Sequence, residues 1–220
     1  MSIRSLMPLL ALILGTTHGS PTVAASDQGL AKYPKEISSD CQYKRAKLYD
    51  QCGSQMRLFE HALEEANASE KTLLVSYGAE WCIWCHVFDQ YIAGGYGDME
   101  FRYGDQDGPD YDTFAVPGRN TWSQKVASEV LANFIRESFV IVHIDAQHAP
   151  DGYDVIETSG ALAQYQNWIP FVFTVKPNGQ FAAAMDYEKV QTKETSNAPY
   201  PGYFRAPLML ELSRMKSAAD

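Results

Sequence analysis

The sequence predicts an α/β fold, a β-sheet with helices on both faces, and three observations carry that reading. Two short apolar runs, Thr72 to Tyr77 and Phe139 to Ile144, each follow a stretch whose apolar residues recur at helical spacing. A further pair of runs, FVFTV and FAAAM, flanks Lys176 to Gly179, where the Pro-Asn-Gly order suits a tight turn between antiparallel strands. A last helical stripe closes the chain. The order is βα, then αβ, then αββα, which places helices on both faces of one sheet.

Residues 1–25 carry one basic residue, Arg4, an apolar run from Leu6 to Leu14, and small residues through Ala25. That is the three-part layout of a secretory signal peptide. The apolar run is broken by Pro8 and falls well short of the ~20 residues that a spanning helix needs. Cleavage near Ala25 is therefore expected, giving an exported protein, periplasmic or secreted, with no membrane insertion of the mature chain. Cleavage removes Arg4 and no acid, so the mature chain is more negative than the formal −9 of the whole. Such a balance argues against nucleic acid or an anionic membrane as partner.

Residues 26–53 form a polar N-terminal extension that contains Cys41 and Cys52, and 54–220 read as one domain. Met56, Phe59, Leu63 and Ala66 make one face of an amphipathic helix, and the strand TLLVSY then delivers the chain into Trp81 and Cys82. Residues 94–120, dominated by glycine, aspartate and aromatics without a sustained period, read as a long surface loop or small irregular insert. Thr121 and Gln124 have capping-box spacing, and Val126, Val130, Leu131 and Phe134 make a helical stripe before the second strand. After a Pro-, Gly- and Asp-rich loop at Ala149 to Asp154, a short helix is expected around Ala161 to Gln166, ahead of Trp168, Ile169 and Pro170. A polar loop, Glu188 to Tyr203, leads to a helix beginning near Pro207 with Leu208, Leu212 and Met215 on one face.

The stretch AEWCIWCHVF, Ala79 to Phe88, holds the chemistry and admits two readings. CxxCH is the attachment sequence of a c-type haem, with His86 as axial ligand and Met99, His143 or Met185 as candidates for the second. CxxC directly after a buried strand is instead a redox dithiol. The buried strand running straight into the motif, and the Ile-Pro pair before a hairpin and terminal helix, favour the dithiol.

On LLVSYGAEWCIWCH, FVIVHID and NWIPFVFTVKPNG, the chain resembles the thioredoxin superfamily, especially exported thioredoxin-like members with tryptophans around the cysteines. The resemblance implies a thioredoxin-like fold: a central mixed sheet flanked by helices, with the N-terminal extension and an insert after the active-site helix. It also implies a protein thiol-disulfide oxidoreductase that needs no cofactor, acts on protein substrates with thiols or disulfides, and exchanges electrons with a redox partner protein. Pro170 would then be a cis-proline facing the cysteines, with the backbone of Ile169 pairing to the substrate. One departure stands out, because the buried acid that thioredoxins carry six residues before the first cysteine is replaced here by Ser76.

Residue chemistry assigns the roles within the motif. Cys82 at the first turn of a helix gains from free N–H groups and the helix dipole, so it is the expected nucleophile. Cys85, three residues later, resolves the mixed disulfide. His86, four residues after Cys82, can approach the same face and lower the thiol pKa when protonated, or can simply face solvent. Trp81 and Trp84 are candidates to shield the sulfurs and offer an apolar platform to unfolded polypeptide, with packing as the alternative. Glu80 reads as an exposed strand-end carboxylate. A disulfide isomerase is the alternative within this class, and a haem or copper carrier the alternative outside it, with Cys82, Cys85 and His86 as soft ligands; no metal is assigned.

Cys41 and Cys52 are expected to form a structural disulfide in an oxidising compartment. On one straight helix they would stand about 16 Å apart, so the chain between them must turn. The acidic run Gly104 to Asp112 lacks the order of a calcium loop and reads as solvated. Asn67-Ala68-Ser69 matches a glycosylation acceptor, and His143 reads as a core or boundary strand residue.

Overall fold

A computed structural model describes residues 29–37, 46–104, 111–116, 121–192 and 202–220. The expected signal peptide, Cys41 and most of the acidic run lie outside these residues.

Among the described residues, seven strands and six α-helices follow in the order β1 (Lys32–Tyr33), α1 (Gln55–Ala68), β2 (Thr72–Gly78), α2 (Ile83–Ile92), β3 (Met99–Gly104), β4 (Tyr111–Val116), α3 (Trp122–Ser138), β5 (Phe139–Asp145), α4 (Gly152–Thr158), β6 (Phe171–Val175), β7 (Phe181–Ala184), α5 (Tyr187–Val190) and α6 (Arg205–Ala219). Five strands form one mixed sheet in the order β1-β5-β2-β6-β7. β1 and β2 run parallel to β5, while β6 is antiparallel to β2 and to β7.

Strand periodicity divides the core into two layers. Leu74, Phe139, Ile141 and Val172 point to one face, where Phe88, Ile92, Leu131, Leu212 and Met215 of α2, α3 and α6 cover them. Leu73, Val75, Val140, Val142 and Phe173 point to the other face, against Phe59 and Ala62 of α1 and Val155 and Ile156 of α4. Because both faces are covered, the central strands read as unbroken apolar runs rather than alternating ones.

Several expectations need correction. The irregular insert contains an antiparallel hairpin, β3 with β4, in which Phe101 pairs with Phe114 and Met99 with Val116. Its signal was present, since MEFRY alternates apolar and polar residues; the intervening glycines and aspartates masked it. The loop at Ala149 to Asp154 runs into α4, and the helix expected at Ala161 to Gln166 is a single turn of 3₁₀ helix, Ala161–Gln164. Two adjacent apolar residues, Val155 and Ile156, are too few to set a periodicity in seven. In α3 the buried apolar positions are Leu131, Ala132 and Ile135, whereas Val130 is 50 % exposed. The last helix needs no such correction: α6 begins at Arg205, near Pro207 as expected, with Leu208, Leu212 and Met215 buried.

The extension is built into the domain. β1 supplies an edge strand, and Leu48 and Tyr49 are buried. Asp151, although next to α4, caps α1 instead: its carboxylate accepts from the Gln55 N–H at 2.8 Å and the Ser54 hydroxyl at 2.6 Å.

Candidate active site

β2 ends at Gly78, and a short turn through Ala79, Glu80 and Trp81 places Cys82 as the N-cap of α2. Its backbone is extended, and its sulfur accepts the Cys85 N–H at 3.3 Å. The free N–H groups and positive end of the helix dipole thus converge on Cys82, the arrangement that stabilises a thiolate. Cys82 and Cys85 are joined as a disulfide with their Cα atoms 5.3 Å apart. Cys85, one turn further in, is wholly buried.

The surroundings come from five parts of the chain. Trp81, Trp84 and Ile169, all half-buried, pack against the cluster of Leu48, Tyr49, Ala79, Cys82 and Cys85. The Ile169–Pro170 bond is cis, and the Pro170 carbonyl accepts the Tyr187 hydroxyl at 2.5 Å. Trp81 Nε1 donates to Gln147 Oε1. Between them lies an open groove of about 310 Å³, lined by Ala79, Trp81, Gln147, Tyr165, Asn167 and Ile169. Trp168, 75 % exposed, stands one residue before Ile169. A larger groove, about 430 Å³, sits at the opposite end of β2 around Thr72, away from the cysteines.

Glu80 departs from its expected place. It is buried, and its Oε2 accepts the backbone N–H groups of Leu48 at 2.9 Å and Tyr49 at 3.0 Å. His86 is held by the same residue, with Nε2 2.6 Å from the Glu80 carbonyl and 3.7 Å from its carboxylate. Since a carbonyl only accepts, Nε2 carries the hydrogen.

No family model and no curated protein matches the chain. The site is therefore read from its own chemistry.

Behind the cysteines lies a polar interior. Ser76, wholly buried, is 3.3 Å from the Tyr49 hydroxyl. His143, as wholly buried, sits in register beside Ser76, meets the Tyr49 ring edge-on, and bonds through Nε2 to Asp89 at 3.1 Å. Lys32 lies 3.3 Å from the same carboxylate. Burial alone would raise the Asp89 carboxyl, but the hydrogen bond and charge of His143, and then those of Lys32, hold it down to about 2. Burial pushes the His143 imidazole below its ordinary value, and its Nε2 hydrogen is directed to Asp89, whose ionised oxygen only accepts.

The structure thus gathers Cys82, Cys85, Trp81, Trp84 and Ile169 at one spot, with Pro170 beside them and His86 tied to Glu80. Cys52 is exposed in the segment before α1, and its expected partner Cys41 is outside the described residues. Sequence reading missed Tyr49 and Gln147, which reach the motif only through the fold. Among the described residues, no group of three or more His, Cys, Asp and Glu is placed to hold a metal ion, and no helix is long and apolar enough to cross a membrane.

Proposed function

We propose that the chain is an exported, thioredoxin-like protein thiol-disulfide oxidoreductase whose working pair is Cys82 and Cys85. The observation that carries this reading is the Cys82–Cys85 disulfide at the start of α2, with the Cys82 sulfur receiving a helix N–H. The strand order, with β2 central and parallel to β5 but antiparallel to β6, supports the thioredoxin-like assignment. So does Ile169 before β6, packed against the cysteines. Export rests on the layout of residues 1–25.

In the reducing direction the Cys82 thiolate attacks one sulfur of a substrate disulfide. A Cys82–substrate disulfide forms, and the other substrate sulfur leaves as a thiolate that takes a proton from solvent. Cys85 then gives its proton to solvent and attacks the Cys82 sulfur; the Cys82–substrate bond breaks, the second substrate sulfur leaves as a thiolate that takes up a proton, and the Cys82–Cys85 bond of this structure forms. A partner protein that reduces this pair returns it to the start, and the oxidising direction is the same path reversed. The open groove beside Ile169 is where an extended substrate chain would lie.

The deciding experiment is insulin disulfide reduction by the mature protein. Cys82→Ala is expected to abolish activity, Cys85→Ala to accumulate mixed disulfide, and Cys41→Ala to leave turnover largely intact. Equal activity of Cys82→Ala and the parent overturns the reading.

A further inference from the structure

Each time the Cys82–Cys85 bond opens or closes, Cys85 passes through a thiolate, and its sulfur has no contact with solvent. A charge formed there without a hydrogen-bond donor is strongly disfavoured. The donor must come from inside the protein.

Among the described residues, the titratable groups near Cys85 are Glu80 before α2, His86 and Asp89 on α2, His143 and Asp145 on β5, Tyr49, Lys32 on β1, whose ammonium is paired with Asp89, and Tyr187 on α5, whose hydroxyl donates to the Pro170 carbonyl. Carboxylates do not donate when ionised, which removes Asp89. Glu80 already accepts two N–H groups. Asp145 accepts from the backbone of Gln147 and His148. The Nε2 hydrogens of His86 and His143 are directed to Glu80 and Asp89. Tyr49 remains, and its geometry suits the task. A Cβ placed on Gly78 would lie 2.6 Å from the Cys85 sulfur and closer still to the Tyr49 hydroxyl, so both atoms crowd the same backbone position. Tyr49 itself is wholly buried, and burial drives its pKa far upward, so it stays a neutral donor. Among the described residues its hydroxyl is paired with Ser76 Oγ, and that 3.3 Å contact is at the long end of hydroxyl bonding.

We propose that the Tyr49 hydroxyl, supplied by the segment before α1 and fixed by Glu80, turns from Ser76 to donate a hydrogen bond to the Cys85 thiolate. This inference rests on the redox reading of the pair. Tyr49 is then a catalytic residue that lies outside the CxxC element, and the extension completes the site. The proton released by Cys85 is not carried by Tyr49, which only stabilises the anion.

The test measures the thiol directly. In the Cys82→Ala protein, Cys85 is titrated by the ultraviolet absorbance of its thiolate, with and without Tyr49→Phe. The added substitution is expected to lower the thiolate-to-thiol ratio of Cys85 about tenfold at a fixed pH, an upward shift of about one unit, as loss of one hydrogen bond to a charged group implies. An unchanged midpoint overturns the proposal. A second measurement needs no change at Tyr49. In Cys82→Ala protein carrying carbon-labelled tyrosine, the Tyr49 ring-carbon signal next to the hydroxyl should move with the Cys85 titration, and a signal that does not move overturns the proposal. Insulin reduction is scored separately: an inactive parent with the shift present removes the redox reading while the Tyr49 contact stands, and an active parent without the shift removes only this inference.

Discussion

The Glu80 carboxylate accepts the backbone N–H of Tyr49 at 3.0 Å across 31 positions of sequence. The same oxygen accepts the neighbouring N–H of Leu48, and the Glu80 carbonyl holds His86. One residue next to the cysteines, through its carboxylate and its carbonyl, therefore ties the extension to the start of α2.

Removing that carboxylate leaves two buried N–H groups without a partner. Glu80→Ala is expected to destabilise the protein by about 3 kcal/mol, since bonds to a charged group contribute roughly 1.5–3 kcal/mol each and orphaned donors add a desolvation cost. Urea unfolding measures the loss, and limited proteolysis should cut the variant first near Lys47. A change under about 0.5 kcal/mol, the size of an ordinary surface substitution, would mean that water replaces the carboxylate at no cost.

Acid should weaken the fold through His143 and Asp89. Burial lowers the His143 pKa from 6.5, so below that pH the unfolded chain takes up a proton that the folded chain does not, and stability falls as pH drops. Asp89, held down to about 2 from 3.8, contributes stability that is complete above the unfolded value and disappears as pH falls toward 2. Asp145, raised by burial, works in the opposite sense above its ordinary value. Unfolding free energy followed from pH 8 to pH 2 should therefore decline first below about 6.5, where an unfolded histidine begins to charge. His143→Asn should flatten that first decline, and an identical slope in the variant would contradict the assignment.

Two neighbours in α3 test the packing of that helix. Leu131 is buried among Phe139, Ile135 and Leu208, whereas Val130 points toward solvent. Leu131→Ala should cost about 3 kcal/mol, within the range for emptying a buried leucine site, and Val130→Thr should stay within about 0.5 kcal/mol. Thermal or denaturant unfolding of the pair gives the answer, and equal losses would place the helix face wrongly.

Adjacent positions separate in this way because each residue turns the helix by about 100°. The stripe of Val126, Val130, Leu131 and Phe134 located the helix, but only contact with α2 and α6 selected which edge of the stripe would be covered. The hairpin β3–β4 shows the converse: MEFRY alternates as a half-buried strand should, yet its partner is defined by pairing with Tyr111–Val116 and not by its own pattern.

By itself the sequence determined the strands that carry unbroken apolar runs, the helices with a clear stripe, the Pro-Asn-Gly turn, and the placement of Cys82 and Cys85 at a strand-to-helix junction. Those are local properties, set by side-chain period, caps and turn residues within a few positions. Tertiary structure alone decided that Glu80 is buried, that Asp151 caps α1, and that Tyr49 lies against Cys85. Each depends on chain segments tens of residues apart meeting at one end of the sheet, and the burial that gives those groups their chemistry exists only once the layers have closed.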